Sequence, residues 1–402
     1  MAHQADSTFF DQKKPWSQYK DLILRYYLRP YLQKVKNLGR PILLIDGYAG
    51  PGRFKDGFEG SPFFISRAIA PLAESGVSVS ALFVERDESK FNELKKNMMP
   101  FESFVELRNA DFGDCVTEIA KLADSNTVFL YMDPFSLSRV HLGHLAEIFS
   151  KIQSGSSVEL LLVLMAHTFV RWAHACQQAE LDGSEVLFDK YVMGEEGRFD
   201  EEMANAIWDM KSVRSAKSAI TSRAELDGIA GGQYWRAIID DTSLTHSERA
   251  QAFVDSYVEK LRQWFSVVCS YPLKADPSSQ DAKYWVVFGS RYRPSIDLIN
   301  GAITSARRKQ HEDSKAGTLF GESELEPELT HHQLERAVLK QLETGPPLRW
   351  RELRWRLSLA IIGQAKESEI NKAIKSLCKA GTISGSDGQK NDQTALLFVT
   401  PP

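Results

Sequence analysis

Between Ile42 and Met165 the chain repeats one pattern. Apolar runs at 42–45, 79–84, 128–132 and 158–165, with a strand-like stretch with a polar end at 104–112, alternate with stretches of helical periodicity. That alternation specifies an α/β fold, a mostly parallel sheet with helices packed on its faces. Most of the runs end on a polar or acidic residue: Asp46, Glu85, Asp111 and Asp133. In an open sheet of this kind, ligands bind beyond the carboxyl ends of the strands. The chemistry is therefore expected where these tips converge.

The first tip is the most informative. The run Ile42-Leu43-Leu44-Ile45 is followed by Asp46-Gly47-Tyr48-Ala49-Gly50-Pro51-Gly52-Arg53. A phosphate-binding P-loop has the same glycine spacing as Gly47 and Gly52, but it needs Lys and then Ser or Thr next. Arg53 and Phe54 stand there instead. A dinucleotide turn needs G-x-G-x-x-G, and Lys55 occupies the third glycine position. The remaining pattern is a turn shaped for S-adenosylmethionine (SAM). SAM carries no phosphate, so it needs neither the lysine nor the full glycine set. An acid at the strand end can accept from its methionine ammonium. The segment resembles motif I of class I methyltransferases, in the aromatic-x-G-x-G form of amino-methylating enzymes. An ordinary strand-to-helix glycine turn is the plainer alternative.

The other tips extend this reading. Glu85 directly follows the second strand, where a carboxylate can bridge a ribose diol, with Asp87 in reserve or as a helix N-cap. Asp111 could accept from an adenine amino group and Phe112 could cover the ring; equally, Asp111 could simply cap the helix at 113–123. Asp133-Pro134-Phe135 resembles motif IV of amino-methyltransferases with one proline fewer, which brings the aromatic one position closer. Asp133 would orient an incoming amino group, Pro134 would fix the turn, and Phe135 would stack on a base.

Composition removes several classes. A net charge of −4 gives no global drive toward nucleic acid. Cys115, Cys176, Cys269 and Cys378 are scattered without a C-x-x-C pair, which argues against a zinc or iron–sulfur site and against a disulfide scaffold. No metal is expected; His141 and His144, three apart, lack further ligands. Cytoplasmic residence is the simple expectation. The longest apolar run, 158–166, is too short to span a bilayer.

Around the alternating core lie three further segments. A helix is expected over 18–36, capped by Ser17 and kinked or divided at Pro30. Ser61 should cap another helix, with Pro62 at its first position. After the fifth strand, 167–260 reads as an all-helical insertion near the ligand edge; Arg171 could meet a phosphate there, and Trp172 could stack. Two strands near 265–271 and 283–289 then close the sheet. The expected domains are 1–310 for the α/β unit, 311–327 for a polar linker, and 328–402 for a small C-terminal unit. That last unit has three helices and a terminal hairpin, resembling a winged helix-turn-helix. Arg349, Arg351, Arg354, Lys372 and Lys375 are its candidate nucleic-acid contacts; docking of a protein is the alternative.

Taken together, the motifs resemble the three-Cys-motif partner family. They run from Phe9-Phe10-Asp11 and Lys14-Pro15-Trp16-Ser17 through Asp46–Arg53, Asp56-Gly57, Glu59-Gly60-Ser61-Pro62, Glu85-Arg86-Asp87 and Asp111-Phe112 to Asp133-Pro134-Phe135. The resemblance implies a Rossmann-like class I methyltransferase sheet, with SAM held by Asp46, Gly47, Tyr48, Gly50, Gly52, Glu85, Asp111 and Phe112. It also implies a radical-SAM-like partner protein bearing the three-cysteine motif. The functional expectation is methyl transfer to nucleic acid, a base amino group first. The alternative is a non-catalytic binding subunit with the same fold.

Overall fold

The computed structural model describes residues 15–134, 141–151, 157–182, 217–274, 281–316, 329–343, 345–385 and 396–399. The chain divides into two compact units, 1–21 with 32–291, and 22–31 with 292–402.

In chain order the first elements are α1 (Pro15–Val35), β1 (Ile42–Asp46), α2 (Ser61–Glu74), β2 (Val79–Val84), α3 (Glu88–Met98) and β3 (Val105–Arg108). They are followed by α4 (Phe112–Ser125), β4 (Thr127–Met132), α5 (Leu142–Lys151), β5 (Val158–Leu164) and α6 (Ala166–Asp182). Then come α7 (Lys217–Ala230), α8 (Trp235–Asp240), α9 (His246–Leu261), β6 (Val267–Lys274) and β7 (Ala282–Ser290).

These strands form one seven-stranded sheet in the order β3-β2-β1-β4-β5-β7-β6. The pairings among β1 to β5 are parallel, whereas β7 is antiparallel to both β5 and β6. This is a Rossmann-like sheet, closed by the expected terminal hairpin. Every residue of β1, β4 and β5 is buried, as a parallel sheet covered on both faces requires. Glu159 lies within β5 at 3% exposure, and the Ser290 hydroxyl of β7 donates to it at 2.9 Å. Strand order reverses between β1 and β4. A crevice at such a switch point is where open α/β sheets take their ligands.

Two local expectations are corrected. Ser17 does not cap α1: the helix begins at Pro15 and runs unbroken through Pro30 to Val35. Pro30 costs one backbone bond there, but it neither divides nor ends the helix. Ser61 is the first residue of α2, and Gly60 takes the cap position without a side-chain bond. The Ser61 hydroxyl instead acts on Asp46.

The second unit contains α10 (Ser295–Ala316), α11 (His331–Glu343), β8 (Leu348–Arg349), α12 (Trp350–Ala360), α13 (Glu367–Ala380), β9 (Ile383–Gly385) and β10 (Leu396–Val399). The three short strands pair antiparallel in the order β8-β10-β9. Leu334, Val338, Trp350, Leu353, Ile370, Ile374, Ile383 and Leu397 share its core. The longer segment of this unit runs from Tyr292, and α10 continues to Ala316 through the start of the expected linker. The reason is polar. Asn300 on α10 accepts from the Gly363 backbone at 2.8 Å and donates to the Ala365 carbonyl at 2.7 Å. Arg308 holds the Glu369 carboxylate with bonds of 2.9 and 3.0 Å.

Candidate functional site

The carboxyl ends of β1, β2 and β4 bring three acids together. Asp46 ends β1 with no exposed surface. Its Oδ1 accepts from the Tyr48 backbone at 3.0 Å. Its Oδ2 is buried and has no hydrogen-bond partner. Burial pushes its pKa up to about 7, opposed by the Ser61 hydroxyl and the Tyr48 amide and assisted by the charges of Asp133 and Glu85. The charges of Asp133 and Glu85 both reach Asp46 from the ends of the neighbouring strands β4 and β2.

The glycine turn is stitched to both flanking strands. The Gly47 amide donates to the Tyr131 carbonyl on β4 and the Ala49 amide to the Val84 carbonyl on β2, each at 3.0 Å. Gly50 sits at φ +60°, in the left-handed region that favours glycine. Its amide donates to Glu85 Oε2 at 2.9 Å, while the Asp87 amide donates to Oε1 at 2.7 Å. Glu85 thus fixes the turn. A Cβ on Gly47 would lie 2.7 Å from Met132 Sδ and 2.9 Å from the Phe112 ring. That position admits no side chain unless those two give way. Gly52 is buried and also at positive φ.

Asp111 caps α4, accepting from the Gly113 amide at 3.0 Å, and Arg86 lies 3.7 Å from its other oxygen. The cap and the ligand-facing roles are compatible, since its side chain is 38% exposed. Asp87 caps α3. Phe112 is buried against Tyr48, with ring centroids 5.8 Å apart.

Asp133 follows β4, next to buried Pro134. Lys20, from the first turns of α1, donates to its Oδ1 at 2.8 Å. The Tyr131 hydroxyl donates to its Oδ2 at 3.3 Å. Lys20 is itself only 8% exposed and also lies over the Tyr284 ring, 5.0 Å from its centroid. Burial, and then the charge of Asp133, raises the Tyr131 pKa well above the ordinary value, so this hydroxyl keeps its proton. Phe135 falls outside the described residues.

Lys20, Ser61 and Tyr131 are site residues that motif spacing did not reveal. Lys20 belongs to a helix far upstream of the motifs. Ser61 reads as a cap, and Tyr131 reads as strand. Only the periodicity of α1, which puts Lys20 on its buried side, carries a trace of the role.

In the second unit the candidate contacts separate into two kinds. Arg349, Arg351, Lys372 and Lys375 are exposed. Arg354 is not: it is 6% exposed and paired at 2.8 Å with both Asp297 and Glu367. The Trp355 indole and the Ser358 hydroxyl also donate to Asp297. Arg354 therefore holds α10 to α12 and is removed from the solvent-facing set.

The sequence matches no family model, and no curated protein matches it. Solved structures with similar architecture include the plantazolicin methyltransferase BpumL in complex with SAH, 9% identical with a TM-score of 0.31, covering 72% of this chain and 90% of that one. Another is geranyl diphosphate C-methyltransferase from Streptomyces coelicolor A3(2), solved with Mg2+, geranyl diphosphate and S-adenosyl-L-homocysteine. It is 11% identical with a TM-score of 0.23, covering 66% of this chain and 79% of that one. No described helix is long and apolar enough to cross a membrane. Among the described residues no group of His, Cys, Asp and Glu is arranged to hold a metal, and all four cysteines are buried.

Proposed function

We propose that this chain is a SAM-dependent methyltransferase acting on nucleic acid, with a base amino group as acceptor, in company with a three-cysteine-motif protein. The observation that carries the reading is Asp46, a buried carboxylate with an unpartnered oxygen at the sheet's switch point, one strand from Asp133. A buried acceptor without a partner costs free energy, and a cofactor ammonium would satisfy it. Asp46 would bind that ammonium, Glu85 the ribose hydroxyls, and Asp111 the adenine amino group. Gly47, Gly50 and Gly52 shape the turn, with Tyr48 and Phe112 as its apolar packing.

Bound there, SAM supplies an electrophilic methyl group on its sulfonium. The protein's share is alignment, which by itself contributes several kcal/mol to such a transfer. Asp133, held by Lys20 and Tyr131, would accept a hydrogen bond from the acceptor's N–H and turn the nitrogen lone pair toward the methyl. Pro134 would fix that turn and Phe135 would stack on the base. Exposed Arg349, Arg351, Lys372 and Lys375 on the winged-helix-like unit would meet backbone phosphates.

Isothermal titration of the full chain with SAM and S-adenosylhomocysteine is the first test. Binding that Asp46→Asn weakens tenfold or more is expected; no binding of either compound removes the reading. Transfer of labelled methyl from SAM to DNA or RNA is the second test. One observation favours a non-catalytic subunit: Lys20 already engages the acceptor-side carboxylate. Cofactor binding with no transfer to either nucleic acid, alone or with the partner, would select that reading.

A further inference from the structure

Helix α13 buries Ile370, Ala373, Ile374, Leu377 and Cys378 in the core of the second unit. Its opposite side carries Ser368, Lys372, Lys375 and Lys379, all exposed. At about 100° per residue these four fall within an arc of about 60°. From Lys372 to Lys379 the stripe runs about 10 Å along the helix axis. Among the described residues no acid pairs with any of the three lysines. Their charge is therefore balanced by solvent ions alone.

The other polar groups of α13 are engaged inside the unit. Its two acids stand in the first turn. Glu367 pairs with Arg354 at 2.8 Å. Glu369 is held by Arg308 at 2.9 and 3.0 Å and accepts from the Lys366 amide at 2.7 Å. The Asn371 carbonyl oxygen accepts from the Trp350 indole at 2.9 Å. Beside the stripe, Glu335 of α11 accepts from Ser376 and pairs with His331 at 3.3 Å. A recognition helix that reads sequence sets the side chains of its first turns on base edges. In α13 the first-turn carboxylates and the asparagine are already bonded, which leaves Ser368 and the lysines.

We propose that the Lys372–Lys375–Lys379 stripe grips the phosphate backbone of a nucleic-acid duplex and reads no base sequence. An ammonium meets phosphate as a compact point charge, without the fixed fork of a guanidinium. Release of the counterions condensed on the duplex drives such binding for any sequence. Helix α13 carries no aromatic ring, so it offers no platform on which the bases of a single strand could stack. The assignment rests on the nucleic-acid reading above and adds to it: the second unit supplies affinity, and the choice of acceptor is left to the first.

The test is fluorescence anisotropy of the full chain without SAM, over a salt series. The labelled probes are two short duplexes of unrelated sequence, a single strand of the same length, and polyglutamate. Affinities for the two duplexes should agree within about threefold, and the single strand should bind at least fivefold more weakly. The triple variant Lys372→Gln, Lys375→Gln, Lys379→Gln should lower the salt slope by about 2–3 and weaken both duplexes by the same factor, at least tenfold. If the triple variant melts early, the single variants carry the test, each lowering the slope by about 0.9. An unchanged slope, a preference of tenfold or more between the duplexes, or tighter binding of the single strand overturns the proposal. Polyglutamate bound as tightly as duplex also overturns it and assigns the stripe to an acidic protein. Methyl transfer is read separately. A chain that grips duplex through the stripe and transfers no methyl group keeps this proposal and loses the methyl-transfer reading. Methyl transfer to nucleic acid, with duplex binding unchanged in the triple variant, does the reverse.

Discussion

Lys20 and Asp133, 113 residues apart in sequence, are joined by a hydrogen bond of 2.8 Å at the rim of the sheet. Lys20 is nearly buried and Asp133 is 23% exposed. The pair therefore lies between a solvated ion pair, worth little, and a fully buried one, whose separation is costly. It ties the first turns of α1 to the tip of β4 and fixes the direction of the Asp133 carboxylate.

Lys20→Met should lower the unfolding free energy by about 1–3 kcal/mol, because it leaves a half-buried carboxylate without its cation. Urea unfolding measures this. In the proposed reaction the same variant should lower kcat more than it raises the KM for SAM, since Asp133 serves the acceptor and not the cofactor. An unchanged kcat would show that Lys20 is purely structural.

Asp46 predicts a pH dependence of definite sign. The folded chain holds the Asp46 proton up to about pH 7, whereas the unfolded chain releases it near pH 4. Between those values the folded state binds more protons, so Asp46's contribution to stability declines as the pH rises through that window. Asp46→Asn should remove that component, so the variant gains on the native chain between pH 4 and 7. Urea midpoints across that range check it. Cofactor affinity should move the opposite way, rising as the pH passes from about 6 to 7.5, because the ammonium favours the ionised carboxylate. Titration calorimetry that shows an equal slope in Asp46→Asn would contradict this.

Gly47 is packed on by Met132 and Phe112. Gly47→Ala should cost about 1–3 kcal/mol by overpacking, and Gly47→Val should cost more. Met132→Ala in the same chain should recover part of the loss, because it clears the nearest atom. A double-mutant cycle by thermal or urea unfolding gives the coupling; strict additivity would place the strain elsewhere.

The second unit separates structural from binding cations. Arg354→Ala should destabilise that unit by about 3–5 kcal/mol, since Asp297 is left buried without its cation. Lys372→Ala and Lys375→Ala should change stability by less than about 0.5 kcal/mol. If these lysines meet nucleic-acid phosphates, each substitution should also reduce the salt slope of binding by about 0.7–0.9. Fluorescence anisotropy with a labelled oligonucleotide over a salt series reads that slope, and an unchanged slope assigns the unit to protein docking.

The alternation of apolar runs placed the strands to within a few residues, because a strand covered on both faces is apolar along most of its length, as β1, β4 and β5 are apart from Asp46, Thr127 and Glu159. The acids at the strand tips were readable for the same reason: a charge directly after such a run stands at the sheet's edge. Sequence spacing alone could not give the strand order, and so could not place the switch point between Asp46 and Asp133. Nor could it show that Lys20 reaches Asp133, that the Ser61 hydroxyl acts on Asp46, or that Arg354 is buried against Asp297. Those relations join residues far apart in the chain, and local periodicity says which side a residue faces but not what it meets there. Asp46 itself shows the division: its position was local information, but its raised pKa comes from the tertiary packing that excludes water around it.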